Sequence, residues 1–420
     1  MGNVQSPPSD PRFPTARRAF TKQELDDLRS LFGSLASQSR SNSKFISQSV
    51  FQDYFGIRGV LGDRMFDLVT NERKDGMLTF EDLVIAKGIY EKGSREEIEE
   101  YIYQLCNVTA DGILTRSDLQ IILASMMETI FASDRAESCL GSDDVNLDIF
   151  LDTATFENEL DGSSKILTFV EFKKWCGLVP SVRKFLGSLL MPSGRLDFHV
   201  PRLQYPEALS SNMLTLKKEF AWHIGGALSQ HEVEEWKLLY HSAVHGLSFN
   251  TFLASLLNRD GPTLLVIKDK EDCIYGGYAS QPWDKHSTFY GDMKSFMFSL
   301  YPKASIFRPT GKNSNIQWCA VNFSSDSIPN GIGFGGKSNH LGLFISASLE
   351  EGHTYTCTTF DSPCLSKTNR IQPEVIECWG IVTKTGSQDG PSDGVKGTVL
   401  ERFKEDRNML NMVGLANSSE

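Results

Sequence analysis

The chain lacks any uninterrupted apolar run long enough to read as a transmembrane helix. Its N-terminus is polar and has no apolar core of the kind a secretory signal needs. Positive charge is in deficit. Lys and Arg number 42 against 53 Asp and Glu, a formal net charge of −11, which argues against the basic face that nucleic-acid binding requires. Eight cysteines are scattered at 106, 139, 176, 273, 319, 357, 364 and 378 with no C-x-x-C pair. That spacing offers neither a zinc motif nor a secreted disulfide framework, and implies reduced, mostly buried thiols in the cytosol. A G-x-S-x-G elbow, a P-loop and an H-E-x-x-H helix are all missing, so three common routes to catalysis have no carrier. Glycosylation triplets begin at Asn107, Asn322 and Asn417, but a cytosolic chain does not meet the transferase.

What is present fits a folded protein of two or three domains: 420 residues, 40% hydrophobic and 23% charged. Met1-Gly2-Asn3-Val4-Gln5-Ser6 matches the pattern for N-myristoylation, which makes Gly2 the candidate lipidation site. One myristoyl chain binds bilayers only marginally, so a second signal is needed. Arg12, Arg17, Arg18 and Lys22 supply a basic arm for that purpose, although four basic residues also suit an ordinary solvated tail. Pro7, Pro8, Pro11 and Pro14 predict that this arm, residues 1–19, is extended and flexible.

A seven-residue unit then recurs. Met77-Leu78-Thr79-Phe80-Glu81-Asp82-Leu83 returns as Ile113-Leu114-Thr115-Arg116-Ser117-Asp118-Leu119 and as Ile166-Leu167-Thr168-Phe169-Val170-Glu171-Phe172, with a weaker copy over Phe45–Phe51. Flanked by helical spacing, these copies resemble the second half of an EF-hand loop. Four of them predict an EF-hand-like α-helical domain over residues 20–177. Metal binding requires oxygens at loop positions one, three, five and twelve. The second loop places Arg73 among them, and the fourth has Leu160 at position one. Asn107, Thr109, Asp111 and Asp118 of the third loop all carry oxygen, with Gly112 at the turn. They are the candidate ligands for a weak Ca²⁺ or Mg²⁺ site, and no cofactor is required. A structural helical module is the favoured alternative to a calcium sensor.

Residues 178–230, rich in Gly, Pro and Ser, are expected to form a linker with a helix over 214–229. A second helix is expected over 231–244. Apolar runs at 263–267, 274–278, 295–300, 316–323, 341–346 and 375–382 follow, separated by turns, and predict antiparallel strands. Within this stretch lie T-L-L-V-I-K-D (263–269), I-Y-G-G-Y-A-S (274–280), F-M-F-S-L-Y-P (296–302), G-I-G-F-G-G-K (331–337), L-G-L-F-I-S (341–346), T-T-F-D-S-P-C-L-S (358–366) and E-C-W-G-I (377–381). Their order and spacing resemble the TLDc domain, over residues 231–385. The resemblance implies an α+β multidomain chain: the helical domain, then a TLDc β-sandwich with peripheral helices. A Gly-rich linker (386–397) and a C-terminal amphipathic helix (398–414) complete it.

His286, His340, His353, Asp361 and Glu377 can be assembled on paper into an acid–base set, but the family resemblance supplies no established reaction, and the chain is not expected to be an enzyme. Cys357 is the thiol to weigh for redox chemistry, because TLDc relatives include the oxidation resistance proteins. It sits in an apparent strand with no Arg or Lys nearby, and a buried, inert thiol is the expectation. An acylated N-terminus, EF-hand-like repeats and a TLDc unit together resemble a lysosomal branch of the family linked to mTOR signalling. The wider family is associated with the vacuolar-type proton ATPase. The implied function is a non-enzymatic regulator or adaptor on the cytosolic face of lysosomal or vacuolar membranes, partnered with that pump. Alternatives are a calcium-responsive membrane-signalling protein and an oxidative-stress protective protein. Val399, Phe403 and Leu410, on one face of the final helix, are candidate partner-binding residues.

Overall fold

The computed structural model describes residues 10–39, 44–71, 73, 75–109, 111–131, 146–158, 165–190, 200–207, 209–257, 261–325 and 327–382. Gly2, the linker 386–397 and the helix 398–414 with Val399, Phe403 and Leu410 lie outside them, as does Leu160. The architecture is α+β.

The helical part runs through α1 (Phe13–Arg18), α2 (Lys22–Gln38), α3 (Gln48–Phe55), α4 (Gly59–Val69), α5 (Phe80–Lys92), α6 (Arg95–Cys106), α7 (Arg116–Ile130) and the short α8 (Asp148–Leu151). The hairpin β1 (Glu157–Asn158) and β2 (Lys165–Ile166) leads to α9 (Phe169–Leu178) and α10 (Pro180–Leu186). The repeated threonine explains where the exiting helices begin. Thr79 and Thr115 each cap a helix and are answered by Asp82 and Asp118 three residues on, in capping boxes. The apolar residue before each threonine pairs the loops. Ile46 and Leu78 exchange backbone hydrogen bonds of 3.0 and 3.1 Å, and the Leu167 N–H donates to the Leu114 carbonyl at 2.8 Å.

Two expectations about this part need correction. Residues 13–18 are helical rather than extended, because Pro14 lies in the first turn of α1, where its missing N–H costs nothing. Phe13 and Ala16 of α1 then pack with Phe20, Leu28, Phe80 and Val84. Residues 178–230 are no simple linker. They supply α10, the strand β3 (Arg202–Gln204) and α11 (Lys218–Gly225), and bury Val182, Phe185, Leu186 and Trp222.

The remainder is a two-sheet sandwich. The larger sheet has the order β3, β4 (Glu235–His241), β14 (Pro373–Val382), β5 (Thr263–Asp269), β6 (Ile274–Ala279), β7 (Phe296–Tyr301) and β8 (Ser305–Phe307), all antiparallel except β3 with β4. The smaller has the order β13 (Arg370–Ile371), β12 (Gly352–Thr354), β11 (His340–Ser346), β10 (Gly331–Lys337) and β9 (Gln317–Ala320). Short helices α12 (Ser242–His245) and α13 (Phe249–Leu257) pack against β4 of the larger sheet. The expected helix over 231–244 is instead β4 with α12. Trp236, Leu238 and Tyr240 alternate about Lys237 and Leu239 at period two, and β14 pairs along the whole strand.

The larger sheet is covered on both faces, which is why its strands read as unbroken apolar runs. Leu264 and Val266 of β5 face a core shared with Phe150, Trp175 and Trp222 of the helical part. Leu265 and Ile267 face Phe334, Leu343 and Ile345 of the smaller sheet. Gly277 makes the second contact close: a Cβ there would lie 2.5 Å from the Phe334 ring.

Candidate functional site

The acid–base residues picked from sequence are not gathered into one site. Glu377 is fully buried in β14. Its Oε1 accepts the Thr215 N–H at 2.5 Å, and its Oε2 accepts from the Leu216 N–H at 3.2 Å and the Trp379 indole at 2.9 Å. His241 Nε2 stands 3.6 Å from the same carboxylate and 3.2 Å from the Met213 carbonyl. This carboxylate clamps the segment 213–216 onto the sheet. His286 instead lies on Tyr290 and 3.5 Å from Asp284. Asp361 is exposed in a turn with positive φ. His340 and His353 both border Tyr355, at ring separations of 5.0 and 5.2 Å.

His353 and Tyr355 line an open depression of about 360 Å³ together with Phe344, Ser346, Glu351 and Arg370. Its rim is closed by an ion pair of 2.7 Å between Arg370 and Glu351. Burial, aided by His340, pushes the His353 imidazole down from its ordinary value.

A second buried carboxylate escaped the sequence analysis. Asp269 Oδ1 accepts from the Glu271 and Cys273 N–H groups at 3.0 and 2.9 Å, and Oδ2 from the hydroxyls of Tyr275 at 2.9 Å and Ser366 at 2.5 Å. It ties the β5–β6 hairpin to the 362–367 loop. The signal was available: Asp269 and Glu377 are acids embedded in apolar strand runs, where an ionised group persists only if donors surround it.

The seven cysteines among the described residues are free thiols. Burial pushes Cys319 up to about 12 and raises Cys106, Cys176 and Cys273 as well. Cys357 is buried against Gly335, whose lack of a side chain leaves room for the sulfur; a Cβ on that glycine would lie 2.5 Å from Sγ. Cys364 is the more accessible thiol, and its Sγ faces the carbonyls of Thr354, Ser366 and Thr368 at 3.3–3.6 Å.

In the third helix–loop–helix, Asn107 Oδ1 accepts from the Thr109 hydroxyl at 3.1 Å, and Asp111 Oδ1 from the Ile113 N–H at 2.8 Å. That backbone bond, with help from Thr109, holds the Asp111 carboxyl below its usual range. Asp118 is buried and accepts from Thr115 N–H and hydroxyl at 3.0 and 2.6 Å. The four candidate ligands therefore share one loop, partly engaged with each other and with the backbone. No group of three or more His, Cys, Asp or Glu among the described residues is arranged to hold a metal ion.

Residues 209–382, which contain both buried carboxylates and every strand of the sandwich except β3, match the model of the TLDc domain. The chain contains a TLDc domain. MTOR-associated protein MEAK7 of Homo sapiens is 31% identical over 256 residues, which cover 59% of this chain and 55% of that protein. Its Mus musculus counterpart is 32% identical over 201 residues, 47% of this chain and 43% of the relative. Oxidation resistance protein 1 of Xenopus tropicalis is 34% identical over 146 residues, 35% of this chain but 16% of the relative. The chain thus spans about half the length of the mTOR-associated relatives it matches. The match to the human protein is longer than the TLDc domain itself.

Proposed function

We propose that this TLDc-domain protein is a non-enzymatic, membrane-associated regulator or adaptor in mTOR-linked signalling, acting on the cytosolic face of lysosomal or vacuolar membranes. The observation that carries this reading is the likeness to the mTOR-associated relatives, which reaches beyond the TLDc domain. The engagement of Glu377 and Asp269 in holding strands and loops together supports a binding scaffold over a reaction centre. The partner in this proposal is the vacuolar-type proton ATPase, as the family resemblance implies, engaged by the TLDc domain with Val399, Phe403 and Leu410. Membrane attachment rests on myristate at Gly2, backed by the basic arm. Fractionation of cells expressing Gly2→Ala tests the attachment: the variant is expected in the soluble fraction, and unchanged membrane recovery would contradict it.

A redox-protective reading draws on the relative named Oxidation resistance protein 1. Peroxide consumption by the purified chain, compared with Cys357→Ser and Cys364→Ser variants, separates it from the adaptor. Calorimetric titration with calcium and magnesium tests the calcium-responsive alternative, in which Asn107, Thr109, Asp111 and Asp118 bind the ion.

A further inference from the structure

The second helix–loop–helix, between α4 and α5, carries Arg73 at the third position of its loop, where a metal site needs an oxygen. The contacts of that arginine follow the ligand set of an EF-hand loop, which takes a cation on side chains at positions one, three and five, the backbone carbonyl of position seven and the carboxylate of position twelve. Counted from Asn71, position five is Asp75, position seven is Met77 and position twelve is Asp82. Arg73 Nε lies 3.5 Å from Asp75 Oδ2. Its Nη2 donates to the Met77 carbonyl at 3.1 Å and to Asp82 Oδ2 at 2.5 Å, and its Nη1 donates to Asp82 Oδ1 at 3.0 Å. One guanidinium therefore meets three of the groups that a bound ion would meet, and takes the position-twelve carboxylate in bidentate fashion.

Asp82 needs such a partner. Its side chain is 3% exposed, and a buried carboxylate is strongly unfavourable unless it is paired or hydrogen-bonded. The third loop serves as an internal comparison. Its position-twelve Asp118 is equally buried, but position three is Thr109, which carries no charge.

We propose that Arg73 is a tethered cation filling the metal seat of the second loop, so that the loop pair joined through Ile46 and Leu78 holds its form without an ion. The consequence reaches the N-terminus. Helix α5, which carries Asp82, also carries α1: Gly88 of α5 faces Ala16, and the Asp10 N–H donates to Glu81 at 3.2 Å. The segment leading to Gly2 is seated on a helix whose loop is set by the sequence rather than by calcium.

Thermal melting of the full chain, in EDTA and in millimolar calcium, tests this. In EDTA, Arg73→Ala is expected to melt about 2–4 °C below the wild type. Arg73→Lys, with a point charge in place of the fork, should fall between the two. If Arg73→Ala does not fold, Arg73→Gln provides the same comparison with the bulk retained. The double variant Arg73→Asp, Asp82→Glu restores an all-oxygen loop, and calcium is expected to raise its melting temperature by more than it raises that of the wild type. Melting of the neutral variants with the wild type in EDTA would overturn the proposal. So would a double variant whose calcium response is no larger than the wild type's.

Discussion

At the scale of single residues, buried polar groups are spent on holding segments together. Glu377 accepts from three donors buried with it. Glu377→Ala would leave the Thr215 and Leu216 N–H groups and the Trp379 indole without that acceptor. At one to three kcal/mol for each buried unsatisfied donor, the loss should be about 3 kcal/mol or more, measurable by urea denaturation; a loss within the range of surface substitutions would mean that the clamp is replaced by water. His223 of α11 offers a pH-dependent counterpart. It is fully buried, meets Phe150 edge to face and has no hydrogen-bond partner at Nε2. Burial pushes its imidazole down to about 3 from an ordinary 6.5. As pH falls below that ordinary value, the unfolded chain takes up a proton that the folded chain refuses. Stability present above about pH 6.5 is therefore lost as pH drops towards 3, by up to about 1.4 kcal/mol per pH unit from this group. Denaturation curves at stepped pH should show a shallower loss for His223→Phe than for the wild type, and parallel losses would rule His223 out as a contributor.

At the scale of elements, the sequence was most legible where one physical rule acted alone. The runs at 263–267, 274–278 and 341–346 are strands because apolar, β-branched and aromatic residues fill both faces of a covered sheet. The threonine–acid repeats announced the starts of α5 and α7 through their capping boxes. Legibility failed where tertiary context decided. The stretch containing Glu235, Lys237 and His241 carries enough charge to pass for an amphipathic helix, yet it becomes β4 once β14 offers a full row of partners. The glycine-rich block 331–337, which is not among the apolar runs expected as strands, is the strand β10, pressed between β9 and β11. The partners of Asp269 include Ser366, a group brought in by a distant loop, which spacing along the chain does not reveal. Close approach also yields an element-level prediction. Gly277→Val would drive a side chain into the Phe334 ring and force the two sheets apart. Overpacking of this kind typically costs about 1–3 kcal/mol, so the variant should melt well below the wild type; an unchanged melting temperature would show that β6 and β10 are not in tight contact.

At the scale of the whole molecule, the helical part and the larger sheet share one apolar core. The Ala304 N–H donates to the Ile149 carbonyl at 2.8 Å, and Phe150 meets Trp222 edge to face at 5.8 Å. The TLDc domain is therefore built against its helical partner, which suits a scaffold presenting its surfaces in a fixed relation. On the proposed account, Gly2 attaches that scaffold to a membrane and the C-terminal residues engage the vacuolar-type proton ATPase. Affinity purification of the full chain from native membranes, beside a chain ending at Gly386 and a Phe403→Ala variant, tests the claim most directly. The account predicts that pump subunits co-purify with the full chain, are lost on truncation and fall roughly thirty-fold with Phe403→Ala, the equivalent of about 2 kcal/mol. A truncated chain that recovers the pump as well as the full one would contradict the proposed C-terminal contact. Absence of the pump from the full chain's own preparation would contradict the partner itself.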